Sequence, residues 1–206
     1  MKSIQRKSPI GFDREPVQKE NWDGWEVAIS YGTGNGPFLI DLSHRSKWDL
    51  QDADLSRFQP FGLTIPGNPG QCVYRKGIII NRMNRTQCAI WHLAGKQPKP
   101  PREPAYTETT DGHTLLAVTG KDTLGVMERI TNLDLGAPAL TPPCLIQGPI
   151  LHIPCQVVLF SRGGGEATIL FSFSRGYGQT MAEALLDSGK DLGLVPGGEL
   201  DLTIVP

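Results

Sequence analysis

From His113 to its C-terminal end the chain keeps switching between two hydrophobic periodicities, and few folds accommodate that order. His113-Thr114-Leu115-Leu116-Ala117-Val118 is rich in aliphatic and β-branched residues and predicts a strand. Thr119-Gly120-Lys121-Asp122 has the form of a capping box, with Thr119 as N-cap and a carboxylate three residues on. Leu124, Val126, Met127, Ile130 and Leu133 follow at near-helical spacing. Ile150 to Phe160 is apolar and β-branched, interrupted by Pro154. Gly163-Gly164-Gly165 then turns the chain into a returning strand, Thr168 to Phe173. A second helix is expected from near Ser174, with Tyr177, Met181, Ala184, Leu185 and Ser188 on one stripe and Gly189 as its stop. Glu199 to Val205 alternates polar and apolar, as a last strand would.

Strand, helix, two or three strands, helix, strand is the order of the split βαβ, ferredoxin-like unit. The first half reads as a weaker version. Phe38 to Leu42 and Lys47 to Leu50 are strand-like, Asp52 to Phe58 is a short helix candidate stopped by Pro60, and Gly77 to Ile80 and Cys88 to Leu93 predict two strands turning at Asn84-Arg85. The expected fold class is therefore α+β, two fused ferredoxin-like halves related by a degenerate internal duplication. The halves, 22–95 and 109–206, form one domain joined by a Pro-rich linker, 96–108, whose prolines favour an extended connector. Residues 1–21 are polar and without periodicity. They predict an arm, disordered alone or ordered against a partner.

Composition excludes several classes. The 20 Lys and Arg balance 21 Asp and Glu, which argues against nucleic acid as a partner. No stretch approaches the ~18 apolar residues of a membrane helix, and no apolar run follows the basic start, so neither a membrane nor a secretory signal is expected. The 4 cysteines lack the paired spacing of a disulfide scaffold, which predicts reduced thiols in a cytoplasmic protein.

The local candidates for chemistry are weak. Cys144, His152 and Cys155 offer zinc-compatible donors but only three of them, at a spacing unlike known sites. Cys88 and His92 share a strand face but lie about 13 Å apart at ~3.3 Å per residue, too far for a nucleophile and its base. Gly32-Thr33-Gly34-Asn35-Gly36-Pro37 has Pro37 where the dinucleotide fingerprint needs its third glycine, so it predicts a hairpin loop. His44 and His113 sit near strand ends with no assigned role. Trp22, Trp25 and Tyr31 form an aromatic cluster suited to anchoring a protein partner.

Several landmarks together resemble a known family. Ile40-Asp41-Leu42-Ser43-His44-Arg45-Ser46-Lys47 resembles the "D-L-S-H-x-G-K" start of glycine-cleavage T-protein-like folds. Leu63-Thr64-Ile65-Pro66 with Asn68 resembles the "G-L-x-x-P…N" segment of the sarcosine oxidase gamma subunit. Val118-Thr119-Gly120-Lys121-Asp122 resembles the "V-x-G-x-D" turn into a helix, and Ser174-Arg175-Gly176-Tyr177 before Leu194 resembles the "R-S-Y…G-L" end of the same superfamily. The resemblance runs from about residue 38 to residue 195. It implies a T-protein-like fold and, in its gamma-subunit form, a small non-catalytic subunit of a multi-subunit flavin- and folate-dependent oxidoreductase. Its partners would be larger flavoprotein subunits carrying flavin and folate, and this chain would hold no cofactor itself. The alternative is a free-standing tetrahydrofolate-binding, aminomethyltransferase-like protein. T-proteins carry a "G-G-x-x-D-D" strand whose aspartate serves the reacting amine. The matching stretch here is Gly77-Ile78-Ile79-Ile80-Asn81-Arg82, whose amide takes no proton near neutral pH. If a folate-like ligand does bind, the resemblance points to Arg82 and Arg175 for its carboxylates and to Trp91 and Tyr177 for stacking on its ring. The competing assignment makes both aromatics packing residues, as aromatics on a strand and a helix stripe usually are.

Overall fold

A computed structural model of the chain describes residues 5–32 and 34–204. The first half carries β1 (Gln18–Trp22), β2 (Trp25–Ser30), β3 (Phe38–Asp41), β4 (Lys47–Gln51), β5 (Cys72–Arg75), β6 (Ile78–Arg82), β7 (Gln87–His92) and β8 (Tyr106–Glu108). The second carries β9 (His113–Lys121), helix α1 (Thr123–Glu128), β10 (Cys144–Ile150), β11 (Ile153–Gly163), β12 (Glu166–Ser174), helix α2 (Gly178–Gly189) and β13 (Val195–Gly197). The strands form a hairpin of β1 and β2, a sheet ordered β5-β6-β7-β4-β8, and a sheet ordered β10-β11-β12-β9-β3-β13. The class is α+β.

The two larger sheets pack face to face. Ile79, Ala89 and Trp91 of one meet Ile40, Leu115, Ala117, Val158 and Leu170 of the other. The outer face of the six-stranded sheet buries Leu116, Val118, Val157 and Phe171 against Val126 and Met127 of α1 and Met181 and Leu185 of α2. The outer face of the five-stranded sheet buries Ile78, Ile80 and Ile90 under Leu55 and Leu63. This explains the unbroken run Ile78-Ile79-Ile80. A strand covered on both faces needs apolar residues at every position rather than every second one.

In the six-stranded sheet β9 pairs antiparallel with β12, β12 with β11, and β3 with β9, while β13 runs parallel to β3. α2 thus connects strands of like direction, β12 to β13, whereas α1 leads from β9 into β10, which runs opposite to β9. The first half differs from this pattern. Its connections are 3-10 turns, such as Leu55–Arg57, and its strand β3 leaves its own half to lie between β9 and β13. Both faces of β3 are apolar, Leu39 to the helix side and Ile40 to the inter-sheet side, so it is stable only as a central strand.

Several local expectations are corrected. Thr119 is no helix cap. It lies in β9, where its hydroxyl meets that of the paired Thr168 at 2.7 Å, and the helix cap is Asp122 in a left-handed conformation, φ 56°. The break in the Ile150 to Phe160 run falls before Pro154, which lies inside β11. Leu151 and His152, both with positive φ, turn it into the β10–β11 hairpin, and Pro149 faces Pro154 beyond the ladder with β12, where a missing N–H does no harm. Helix α2 starts at Gly178, leaving Tyr177 exposed at its cap. The left-handed stop falls at Gly193, and Gly189 is small because Leu194 packs where a Cβ would stand, 2.7 Å away. Residues 199–201 form a 3-10 turn and the last strand comes earlier, at Val195–Gly197. Val205 lies outside the described residues. The glycine-rich run 32–37 joins strands of two different sheets. Within the polar stretch 1–21, residues 18–21 belong to β1, and Tyr106–Glu108, at the end of the Pro-rich segment, adds to the edge of β4.

Candidate functional site

The turn between β3 and β4 is built by its own polar side chains. Asp41 Oδ1 accepts from Ser43 N at 2.9 Å, and Arg45 N donates to Leu42 O at 2.9 Å. Lys47 Nζ reaches back to donate to Ser43 O at 2.9 Å and Arg45 O at 2.8 Å. Lys47 is fully buried. Burial pushes its pKa down to about 7 against the opposing pull of the Asp41 carboxylate, and a neutral amine has the two hydrogens those carbonyls require.

Glu199 pins this turn to the C-terminal segment. Arg45 Nε donates to Glu199 Oε1 at 3.0 Å, Arg45 Nη2 donates to Oε2, and His44 Nε2 lies 2.9 Å from Oε1. Burial works to raise the Glu199 pKa, but the His44 and Arg45 contacts outweigh it and hold the carboxyl below its ordinary value. The Arg45 guanidinium also covers Trp22, 5.0 Å from the ring centroid, and Trp22 meets His44 edge-on at 5.5 Å.

Between this turn, the tip of the β1–β2 hairpin and the end of β7 lies a cavity of about 490 Å³ lined by Arg6, Trp22, Trp25, His44, Arg45 and His92, among others. His92 is 2% exposed. Its backbone N donates to Ser46 O at 2.9 Å, and its ring nitrogens are fully buried, with the Ala94 backbone as the polar group beside them. Burial, then the Arg45 charge, lowers its pKa to about 4, so the imidazole is neutral near pH 7. Trp25 is equally buried, its Nε1 is unpartnered, and the guanidinium carbons of Arg6 and Arg175 each lie 5.9 Å from its ring centroid. A neighbouring cavity of about 430 Å³ lies under the N-terminal segment and shares Arg6, Trp25 and His44. That segment is tied down by Arg6 N to Gly24 O at 2.9 Å, by Arg175 Nη2 to Lys7 O, and by a two-way amide contact between Gly11 and Gln179 at 2.8 and 3.0 Å.

The four residues singled out for a folate-like ligand are dispersed. Trp91 is buried between the sheets and touches only a small cavity of about 110 Å³. Tyr177 is 51% exposed at the start of α2. Arg82, at the end of β6, donates to Arg85 O at 2.6 Å, and Arg175 packs behind Trp25. The two larger cavities just described touch none of the four. The zinc candidate does not assemble either. Cys144 pairs with Leu159 and Cys155 with Gly148, so they are out of register on their hairpin, and no group of three His, Cys, Asp or Glu among the described residues could hold a metal. Sequence reasoning missed His44, Arg45 and His92 as site residues. The only signal was the stretch Asp41 to Lys47, whose residues mattered for the resemblance but carried no assigned chemistry.

Among solved structures, the fold is similar to a chain of the heterotetrameric sarcosine oxidase from Corynebacterium sp. U-96, solved in complex with pyrrole 2-carboxylate. The TM-score is 0.61, over 82% of this chain and 87% of that chain, at 11% sequence identity. This chain has the fold of a sarcosine oxidase subunit. The resemblance read from short motifs is thus met in three dimensions. No family model and no curated protein matches the chain at the level of sequence. The similar coverage on both sides means that the sarcosine oxidase chain and this one are of comparable length. Among the described residues no helix is long and apolar enough to cross a membrane.

Proposed function

We propose that this chain is a small, non-catalytic subunit of a multi-subunit amine oxidoreductase of the sarcosine oxidase type, the counterpart of its gamma subunit. The observation that supports this reading is the likeness of fold to a sarcosine oxidase chain over 82% of this chain and 87% of the other. The matched strand is a second support. Where the T-protein-like resemblance calls for a proton-accepting aspartate, Asn81 is buried and accepts from Cys72 Sγ at 3.1 Å. An amide there moves no proton, and the neighbouring arginine stays charged. In this reading the flavins and the folate sit on larger partner subunits, and this chain, with a T-protein-like, ferredoxin-like folate-binding fold, serves one-carbon chemistry without a cofactor of its own. Arg82 and Tyr177 then face partners, Arg175 ties down the chain's own N-terminal segment, and Trp91 serves the core. The complex is cytoplasmic, with neither membrane nor nucleic acid as a partner. Exposed Val17, Tyr177 and Leu200 are points such a partner would cover.

The test is mild purification of the tagged chain from its native host, with mass spectrometry of what accompanies it and an absorption spectrum. The expected result is stoichiometric larger subunits with flavin absorbance. A lone chain carrying a bound pterin would overturn the reading in favour of a free-standing tetrahydrofolate-binding protein.

A further inference from the structure

We infer that one end of the five-stranded sheet, formed by the β5–β6 turn and the segment after β7, is a docking face for an acidic polypeptide surface, with Lys76 and Lys96 at its centre. This deepens the subunit reading by naming the chemistry of the surface that the partner presents, and it rests on that reading.

The chain is close to neutral, yet its charges are segregated. Between Leu55 and Arg102 stand 8 Lys and Arg and no Asp or Glu, so the rest of the chain holds 12 Lys and Arg against all 21 Asp and Glu. That basic stretch builds β5, β6 and β7. The helix layer on the far side has the opposite sign, since α2 and the 3-10 turn after it carry Glu183, Asp187 and Asp191 against Lys190. A sandwich with one basic and one acidic side steers and orients a charged partner as it approaches.

The fold gathers part of the positive charge at one end of the sheet. Arg75 at the end of β5 faces Ile78, and Ile78 in turn faces His92 at the end of β7. The chain leaving β7 then crosses the β5–β6 turn, where Leu93 N donates to Gly77 O at 2.7 Å and Ala94 N donates to the same oxygen at 3.3 Å. Lys76 and Lys96 flank this contact, and Lys99 follows on the Pro-rich segment. Arg75, Lys76, Lys96 and Lys99 are all exposed, and none of them forms an ion pair among the described residues. The turn itself is a two-residue hairpin loop, Lys76-Gly77, with φ of 52° and 78°, a geometry that favours Asn, Asp or Gly in its first position. The lysine forgoes that preference and sets a cation at the hairpin tip.

The same stretch is unsuited to nucleic acid. It exposes no large apolar or aromatic side chain on which a base could stack. The acidic helix layer also opposes a polyanion long enough to extend past the patch. Charges on a hairpin tip and an extended segment suit the carboxylates of a protein surface.

The experiment follows fluorescent poly-L-glutamate binding to the purified full-length chain by anisotropy, at low salt and at about 0.5 M, where screening acts within a few ångströms. The wild type is expected to bind at low salt and to release at high salt. Lys76→Asn/Lys96→Gln should weaken binding by roughly fivefold, the loss of two exposed charge contacts. Asn suits the turn, so this variant keeps the hairpin. Lys121→Gln/Lys190→Gln changes the net charge equally on the other side and should stay within about twofold of the wild type. In the tagged purification, Lys76→Asn/Lys96→Gln should recover fewer larger subunits than the wild type. The inference is overturned by an absence of salt-sensitive polyglutamate binding, by equal losses in the two double variants, by a DNA duplex binding more tightly than polyglutamate, or by equal recovery of subunits. Polyglutamate binding that depends on Lys76 and Lys96, in a wild-type chain that recovers no larger subunits, supports the docking face and counts against the subunit reading alone.

Discussion

Replacing Glu199 with Gln should destabilise the protein by about 3–5 kcal/mol, the usual effect of removing one member of a buried ion pair and leaving the other charged. The side chains of His44, Arg45 and Glu199 are only 8%, 9% and 10% exposed, so water cannot take over the role of the carboxylate. For a chain of this size each kcal/mol moves Tm by about 2–4 °C, so the expected fall is about 6–20 °C. Gln retains an acceptor for Arg45, which favours the lower end. The assay is urea unfolding of wild type, Glu199→Gln, Glu199→Met, Arg45→Met and the double Arg45→Met/Glu199→Met. The double variant should lose less than Glu199→Met alone, because it removes both charges from the interior at once. The pH dependence adds a signed check. The folded Glu199 carboxyl is held below its ordinary 4.5, so its stabilisation is complete above that value and is lost as pH falls through the folded value. The gap between wild type and Glu199→Gln should therefore be full above about pH 4.5 and close in more acidic solution. A loss under about 1 kcal/mol, additive single variants, or a gap that ignores pH would falsify this account of the turn.

Three further outcomes are expected. Gly77→Ala should cost at least about 3 kcal/mol in urea unfolding, because φ is +78° and an added Cβ would stand 1.9 Å from Ala94 O; a near-neutral result would mean the β6–β7 end is softer than drawn. Lys47, held at about 7 from an ordinary 10.5, contributes stability that is fully present above 10.5 and lost as pH falls toward 7. Wild type should therefore gain on Lys47→Met by up to ~1.4 kcal/mol per pH unit across that window, and parallel stability curves would count against a buried neutral amine. Trp91→Ala should destabilise by about 3–5 kcal/mol, whereas Tyr177→Ala should stay within about 0.5 kcal/mol; thermal melts showing equal losses would contradict their placement.

How much of this was readable in the sequence depends on the range of the interaction. Leu115 to Val118, Ile78 to Ile80 and Thr168 to Phe173 declare themselves as strands because each carries its own apolar, β-branched pattern. The α+β class follows from their order with the helices, and Asn84-Arg85 turns β6 into β7 as its local chemistry predicts. The errors fall where a distant partner overrides a local signal. Thr119 has the form of a cap, yet Thr168, 49 residues away, claims its hydroxyl across the β9–β12 ladder. Gly189 has the form of a helix stop, yet its size is set by Leu194.

The candidate site was hardly readable at all. His44 and Arg45 stand in one turn, but the carboxylate that fixes them is Glu199, 154 residues on from Arg45, in a segment that its alternation marks as a strand. His92 and Trp25 come to line one cavity only because the assembled sheets bury both of them beside it. By itself the sequence determined the elements with a local period, the mixed class, and the near-neutral charge that argues against a nucleic-acid binder, since periodicity and composition are carried by neighbouring residues. Only the tertiary structure decided that β3 crosses into the other half's sheet, that Trp91 belongs to the core while Tyr177 faces water, and which polar side chains meet. Those outcomes depend on pairings between residues far apart in the chain, and no short stretch of sequence encodes both partners.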